Sequence, residues 1–105
     1  MGETAQWLYR IVPSRPEMVG DPTEQEVEVV AAHVAHLVRL HERGVLILAG
    51  RTQEQEGTFG VVIFEATDRV AAEAIMYGDP GVSTGVFVAT LHPFGIAAAR
   101  GEVAD

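Results

Sequence analysis

Histidines crowd one short stretch of this chain. "AAHVAHLVRLHERG", residues 31–44, carries His33, His36 and His41, and the whole sequence holds only one more, His92. Imidazole takes up and releases protons near neutral pH and is also a common metal ligand. General-base catalysis and metal binding are therefore the two chemistries to weigh. Spacing argues against metal. Ligand pairs on one helix commonly stand at i and i+4, whereas His33 and His36 are three apart and His36 and His41 are five apart and diverge. No metal site is expected. There is no cysteine, which removes disulfides, thiolate nucleophiles and cysteine zinc sites. There is no G-x-S-x-G, and no G-x-G-x-x-G or P-loop follows a strand, so covalent acyl chemistry and nucleotide binding have no motif behind them.

These histidines need a helix to position them, and the sequence supplies one. Thr23 and Glu26 form the T-x-x-E pattern of a capping box, and Gly44 supplies the stop. At 100° per residue, Val27, Val30, Ala31, Val34, Leu37 and Val38 share one arc, the expected buried stripe. Glu28, Arg39 and Glu42 fall opposite. His36 falls on the polar side and is expected in solvent. His41 lies in the apolar arc near the helix end, where an imidazole suits the C-terminal dipole. His33 sits at the border of the arc, half-buried, a position that suits a general base and equally a packing histidine.

The remaining elements follow from composition. "WLYRIVP" (7–13), "VLILAG" (45–50), "FGVVIFEA" (59–66) and "GVFVATLHPF" (85–94) read as strands. "RVAAEAIMYG" (69–78) reads as a helix capped by Thr67 or Asp68, and "SRPEMVGDP" (14–22) and "DPGVST" (79–84) read as loops. The order β-α-β-β-α-β, in one domain spanning 1–105 with a tail at 95–105, indicates an α+β, ferredoxin-like fold: an antiparallel sheet with two helices on one face. The strands are apolar on both sides. Val45, Ile47 and Ala49 oppose Leu46 and Leu48, and Val61 and Ile63 oppose Val62 and Phe64. Two helices cover only one face, so the open face is expected to pair with a second copy in a two-fold homodimer, with cover by the C-terminal tail as the alternative.

The charge of −8 with only seven Lys and Arg offers no basic stripe to neutralise phosphates, so nucleic acid is set aside as a partner. No apolar run reaches the ~18 residues of a membrane span and no secretory signal pattern is visible, so a soluble cytoplasmic protein is expected. Among other polar residues, Arg10, Arg51 and Tyr9 are candidates to contact a ligand. Arg10 lies among apolar neighbours and should bind an anion or pair with Glu65 across the sheet. His92 precedes Pro93 at a strand end, at the expected dimer rim. Asp79, in Gly-Asp-Pro, reads on its own as a turn residue bonding its own backbone.

Three segments together resemble the YciI-like (YCII-related) family: "AAHVAHLVRLHERGVLILAG", "FGVVIFEATDRVAAEAIMYGDPGVSTG" and the terminal "LHPF". The resemblance runs over nearly the whole chain. It implies a dimeric α/β barrel and a His/Asp site at His33 and Asp79. It also implies small-molecule chemistry without a cofactor: elimination, isomerisation or hydrolysis of a small metabolite, aromatic ones included. A non-catalytic ligand-binding or sensor module of the same fold is the alternative. Two positions depart from the family pattern. Gly81 stands where a bulky residue often follows D-P, and Arg51 where proline often follows A-G.

Overall fold

The computed structural model describes residues 3–101. Strand β1 (Ala5–Pro13) leads through a 3-10 turn (Pro16–Val19) to helix α1 (Glu24–Glu42). Strands β2 (Leu46–Arg51) and β3 (Gly60–Ala66) follow. Helix α2 (Arg69–Tyr77), the single-turn helix α3 (Pro80–Ser83) and strand β4 (Phe87–Pro93) complete the described elements. The strands form one antiparallel sheet in the order β2-β3-β1-β4, the ferredoxin-like arrangement expected from the element order.

Local sequence sets the boundaries. Thr23 Oγ1 accepts from the Glu26 backbone at 3.1 Å, and Glu26 returns the bond to the Thr23 backbone N–H at 2.8 Å, so the capping box starts α1. Gly44 ends it at φ 74°, a left-handed turn that glycine adopts without a Cβ penalty. Asp68, and not Thr67, caps α2 by accepting from Ala71 N–H at 2.8 Å. The segment expected to be loop after α2 contains α3, because Asp79 caps it and Pro80 suits a first helical position. Residues 94–100 have no regular structure, and the rest of the expected tail, 102–105, lies outside the described residues.

The core lies between the sheet and the helices. Along β1 every second side chain, Trp7, Tyr9 and Ile11, points to it, beside Val62 and Phe64 of β3 and Ala72 and Met76 of α2. The other face carries Leu8, Val12, Leu48, Ile63 and Val88, with Leu48 and Val88 53% and 56% exposed. Strand β2 departs from the simple alternation. A register shift between Leu46 and Leu48 sets Leu46 opposite Phe64 on the core side while Leu48 opposes Ile63 on the open side. An inserted residue changes which face its neighbours reach. Below the shift, Ala49 and Arg51 pair with Val62 and Gly60 and share the core-side face.

Helix α1 rests on a different face from the expected one. Its buried residues are His33, His36 and Leu40, while Val27, Val34 and Val38 are 56%, 50% and 48% exposed. The buried arc is turned by about 130° from the valine stripe. His36, expected in solvent, is buried near Ile75 and Gly78 at the end of α2, and burial holds its pKa below the ordinary value. His41, placed in the apolar arc, is exposed. On the inward face His33 meets the buried Asp79 carboxylate. Val27, Val30, Val34 and Leu37 instead line an open cavity.

Candidate active site

Asp79 organises the site. Its carboxylate is completely buried. Burial alone would raise its pKa, but the hydrogen bonds from His33 and then Tyr9 outweigh that cost and hold it below the ordinary value. His33 Nδ1 lies 2.7 Å from Oδ2 and 2.9 Å from Oδ1. The Tyr9 hydroxyl donates to Oδ2 at 2.7 Å, and the Gly81 backbone N–H donates to Oδ1 at 2.9 Å. An ionised carboxylate only accepts hydrogen bonds, so Nδ1 must carry the proton. In the neutral ring, Nε2 then holds the basic lone pair.

Each element brings one part. Helix α1 supplies His33 from its inward face. Strand β1 supplies Tyr9, which stands between Val62 and Leu91 in the sheet and packs edge-on against Phe64 at 5.8 Å. The junction of α2 and α3 supplies Asp79. The His33 ring also packs edge-on against Phe87 of β4, with centroids 5.3 Å apart. Both neighbours of the carboxylate are thus themselves held by aromatic packing.

His33 forms part of the wall of a cavity of about 470 Å³ between α1, the 3-10 turn and the sheet. Aliphatic side chains such as Ile11, Met18, Val30 and Leu37 dominate its lining. The polar side chains are few: His33, Glu26, Thr58 and Arg51. A mostly apolar cleft with a small number of placed polar groups is the usual form of a small-molecule site. With Nδ1 engaged by Asp79, Nε2 is the nitrogen left for a ligand.

The residues expected at the site divide clearly. His33 and Asp79, 46 positions apart in sequence, are in direct contact. Arg51 borders the same cavity. Tyr9, expected to touch a ligand, is completely buried and absent from the cavity wall, because its hydroxyl is spent on Asp79. Burial, and after it the Asp79 charge and hydrogen bond, push the phenol pKa far up, so Tyr9 stays a neutral donor. Arg10 lies on the other face of the sheet, opposite Val61 and Thr90 and away from Glu65, and its guanidinium stacks 4.6 Å from the centre of the Phe59 ring. His92 lies on that same face and shares a hydrogen bond with Thr90. Among the described residues, no three His, Asp or Glu side chains gather closely enough to hold a metal ion, and no helix is long and apolar enough to cross a membrane.

Known proteins bear on this arrangement in two ways. Residues 8–94 match the model of the YCII-related domain. Curated protein sequences give no match. Among solved structures, the fold is similar to the 5-chloro-2-hydroxyhydroquinone dehydrochlorinase of Burkholderia phenoliruptrix, with TM-score 0.62 and 18% identity over 85% of this chain and 93% of that one. It is similar to an uncharacterised protein of Thermotoga maritima, with TM-score 0.55 and 17% identity over 89% and 100% of the two chains. A cofactor-independent oxygenase of Streptomyces nogalater gives TM-score 0.51 and 12% identity over 93% and 97%. At these identities the likeness establishes the fold.

Proposed function

The chain belongs to the YCII-related domain family, and from that premise we propose that it is a small-molecule enzyme whose general base is His33, oriented by Asp79. The observation that carries the reading is the completely buried Asp79 carboxylate, shared between His33 Nδ1 and the Tyr9 hydroxyl, at the wall of an apolar cavity. His33 Nε2 takes a proton from the bound molecule. The ring becomes an imidazolium, and Asp79 stabilises that charge at a distance of one hydrogen bond without itself being protonated. Tyr9 and the Gly81 N–H keep the carboxylate from rotating away. Acid–base help of this kind contributes ~10²–10⁴-fold. It suits elimination, isomerisation or hydrolysis on molecules with an already acidic O–H or C–H, and His33, held by Asp79, moves that proton without a cofactor. Two enzymes that share the fold, a dehydrochlorinase and a cofactor-independent oxygenase by description, lend support.

The proposal includes a two-fold homodimer through the open sheet face. Exposed Leu48 and Val88, with half-buried Leu8 and Val12 beside them, form an apolar surface that no helix among the described residues covers.

The test is a turnover screen with chlorinated hydroxyhydroquinones and other acidic phenols, run on wild type, His33→Ala and Asp79→Asn. Turnover by wild type that falls at least a hundredfold in His33→Ala, with ligand affinity retained, supports the reading. Turnover that survives His33→Ala overturns it. Ligand binding without turnover in any variant would leave a binding module instead.

A further inference from the structure

The cavity has an uneven charge. It carries one carboxylate at its edge, Glu26, and one guanidinium, Arg51. Glu26 is already satisfied. Arg15 clamps both its oxygens, Nη2 to Oε1 at 2.8 Å and Nε to Oε2 at 3.0 Å, and the Thr23 N–H adds a third bond. The bond from Arg15 first, then that from Thr23, pulls the Glu26 pKa down to about 2. Arg51 has no such match: among the described residues no carboxylate lies within salt-bridge distance of it. Its position is fixed by the sheet. It ends β2 opposite Gly60, on the face shared with Ala49 and Ile11, and so borders the cavity that His33 lines. Among the described residues Arg15 alone of the arginines has a carboxylate at salt-bridge distance; what sets Arg51 apart from the others is its place, exposed at the edge of this cavity.

We infer that the cavity selects a ligand with an apolar, ring-sized body and a single carboxylate, the carboxylate held by Arg51 while an acidic hydroxyl or C–H meets His33. The inference rests on the proposed function for the role of His33 and adds the class of ligand. Arg51 presents a planar fork that a carboxylate matches with two parallel hydrogen bonds. The aliphatic lining rewards an apolar body and disfavours a second charge, because a further unpaired charge against such walls loses hydration without compensation. A phosphate dianion is therefore a poorer match than a carboxylate. Hydroxybenzoates have the required parts at a size such a cavity holds.

The experiment compares 3- and 4-hydroxybenzoate with the matching hydroxybenzamides and with phenyl phosphate, by calorimetry or ligand-observed NMR, at low salt. In wild type at least one acid should bind about tenfold tighter than its amide, a charge-assisted contact discounted for exposure. Arg51→Gln should erase that preference and leave amide affinity unchanged, which also reports an intact cavity. Arg51→Lys should keep part of it. Equal affinity for acid and amide, a preference that survives Arg51→Gln, tighter binding of phenyl phosphate, or no acid binding up to ~10 mM each overturns the inference. His33→Ala separates the two claims. It should retain the acid preference, and an Arg51-dependent preference in a protein with no turnover would uphold the ligand class while removing the catalytic reading.

Discussion

Tyr9→Phe isolates one hydrogen bond in the buried site. The change removes the hydroxyl that donates to Asp79 Oδ2 at 2.7 Å and leaves the ring, with its Phe64 contact, in place. A hydrogen bond to a charged group contributes about 1.5–3 kcal/mol. Asp79 Oδ2 keeps its 2.7 Å contact with His33, so it is not orphaned, and the expected loss is about 2 kcal/mol. For a domain of this size that lowers Tm by about 8–16 °C. The pH dependence gives a second check. The Tyr9 pKa is raised in the fold, so its stabilisation is present below the unfolded value of ~10 and is lost as pH rises beyond it. Wild type should lose stability on that alkaline limb, and Tyr9→Phe should lack this component. The Asp79 pKa is lowered in the fold, so its contribution is present above the unfolded value of ~3.9 and lost as pH falls through the folded one. Urea unfolding at one fixed protein concentration, at neutral pH and along the alkaline limb, measures the loss in Tyr9→Phe and its pH dependence, and an acid series measures the Asp79 contribution. A loss below about 0.5 kcal/mol at neutral pH, or a wild-type-to-variant gap that does not shrink above pH ~10, would refute the reasoning.

Other perturbations have equally definite outcomes. His36→Leu removes a buried Nε2 that has no hydrogen-bond partner, so at neutral pH stability should hold or rise by about 1 kcal/mol. Burial lowers the His36 pKa, with Asp79 and the Ile75 backbone opposing that shift and Arg39 and His33 adding to it. Its stabilisation is therefore present above the unfolded value of ~6.5 and lost on acidification, so the variant's advantage should widen toward pH ~5 in urea titrations. Gly81→Ala places a Cβ 2.5 Å and 2.8 Å from two Phe87 ring carbons. It should cost about 1–3 kcal/mol by overpacking, and adding Phe87→Leu should recover much of the loss in the same assay. Leu48→Glu, on the exposed open face of the sheet, should convert the proposed dimer to monomer in sedimentation analysis; a wild-type monomer would remove the interface from the account.

What the sequence disclosed was local pattern. Thr23 and Glu26 mark the start of α1 because a capping box is contained in four residues, and Gly44 marks its end because only a local turn is at stake. The β-α-β-β-α-β order follows from punctuation by proline and glycine. The side of α1 that faces inward was not legible from periodicity alone. A valine stripe identifies an apolar arc, but it does not say whether that arc meets the core or a cavity, and Val27, Val30 and Val34 meet the cavity. The burial of His33 depends on Asp79, a residue 46 positions away. The family resemblance, rather than periodicity, connected the two. The burial of His36 between α1 and the end of α2 had no signal in its own neighbourhood. Tyr9 had one that went unused: its alternation with Trp7 and Ile11 points it inward, where a phenol needs a partner. The register shift in β2, which moves Leu46 to the core side, leaves no mark in a uniformly apolar run.

The central claim is that Asp79 fixes the proton on His33 Nδ1 and leaves Nε2 as the base. Long-range ¹H–¹⁵N NMR of the neutral His33 ring reads this directly. Wild type should show a protonated Nδ1 and an unprotonated Nε2, and Asp79→Asn, whose amide can also donate, should lose that single tautomer. A wild-type His33 with its proton on Nε2 would contradict the account.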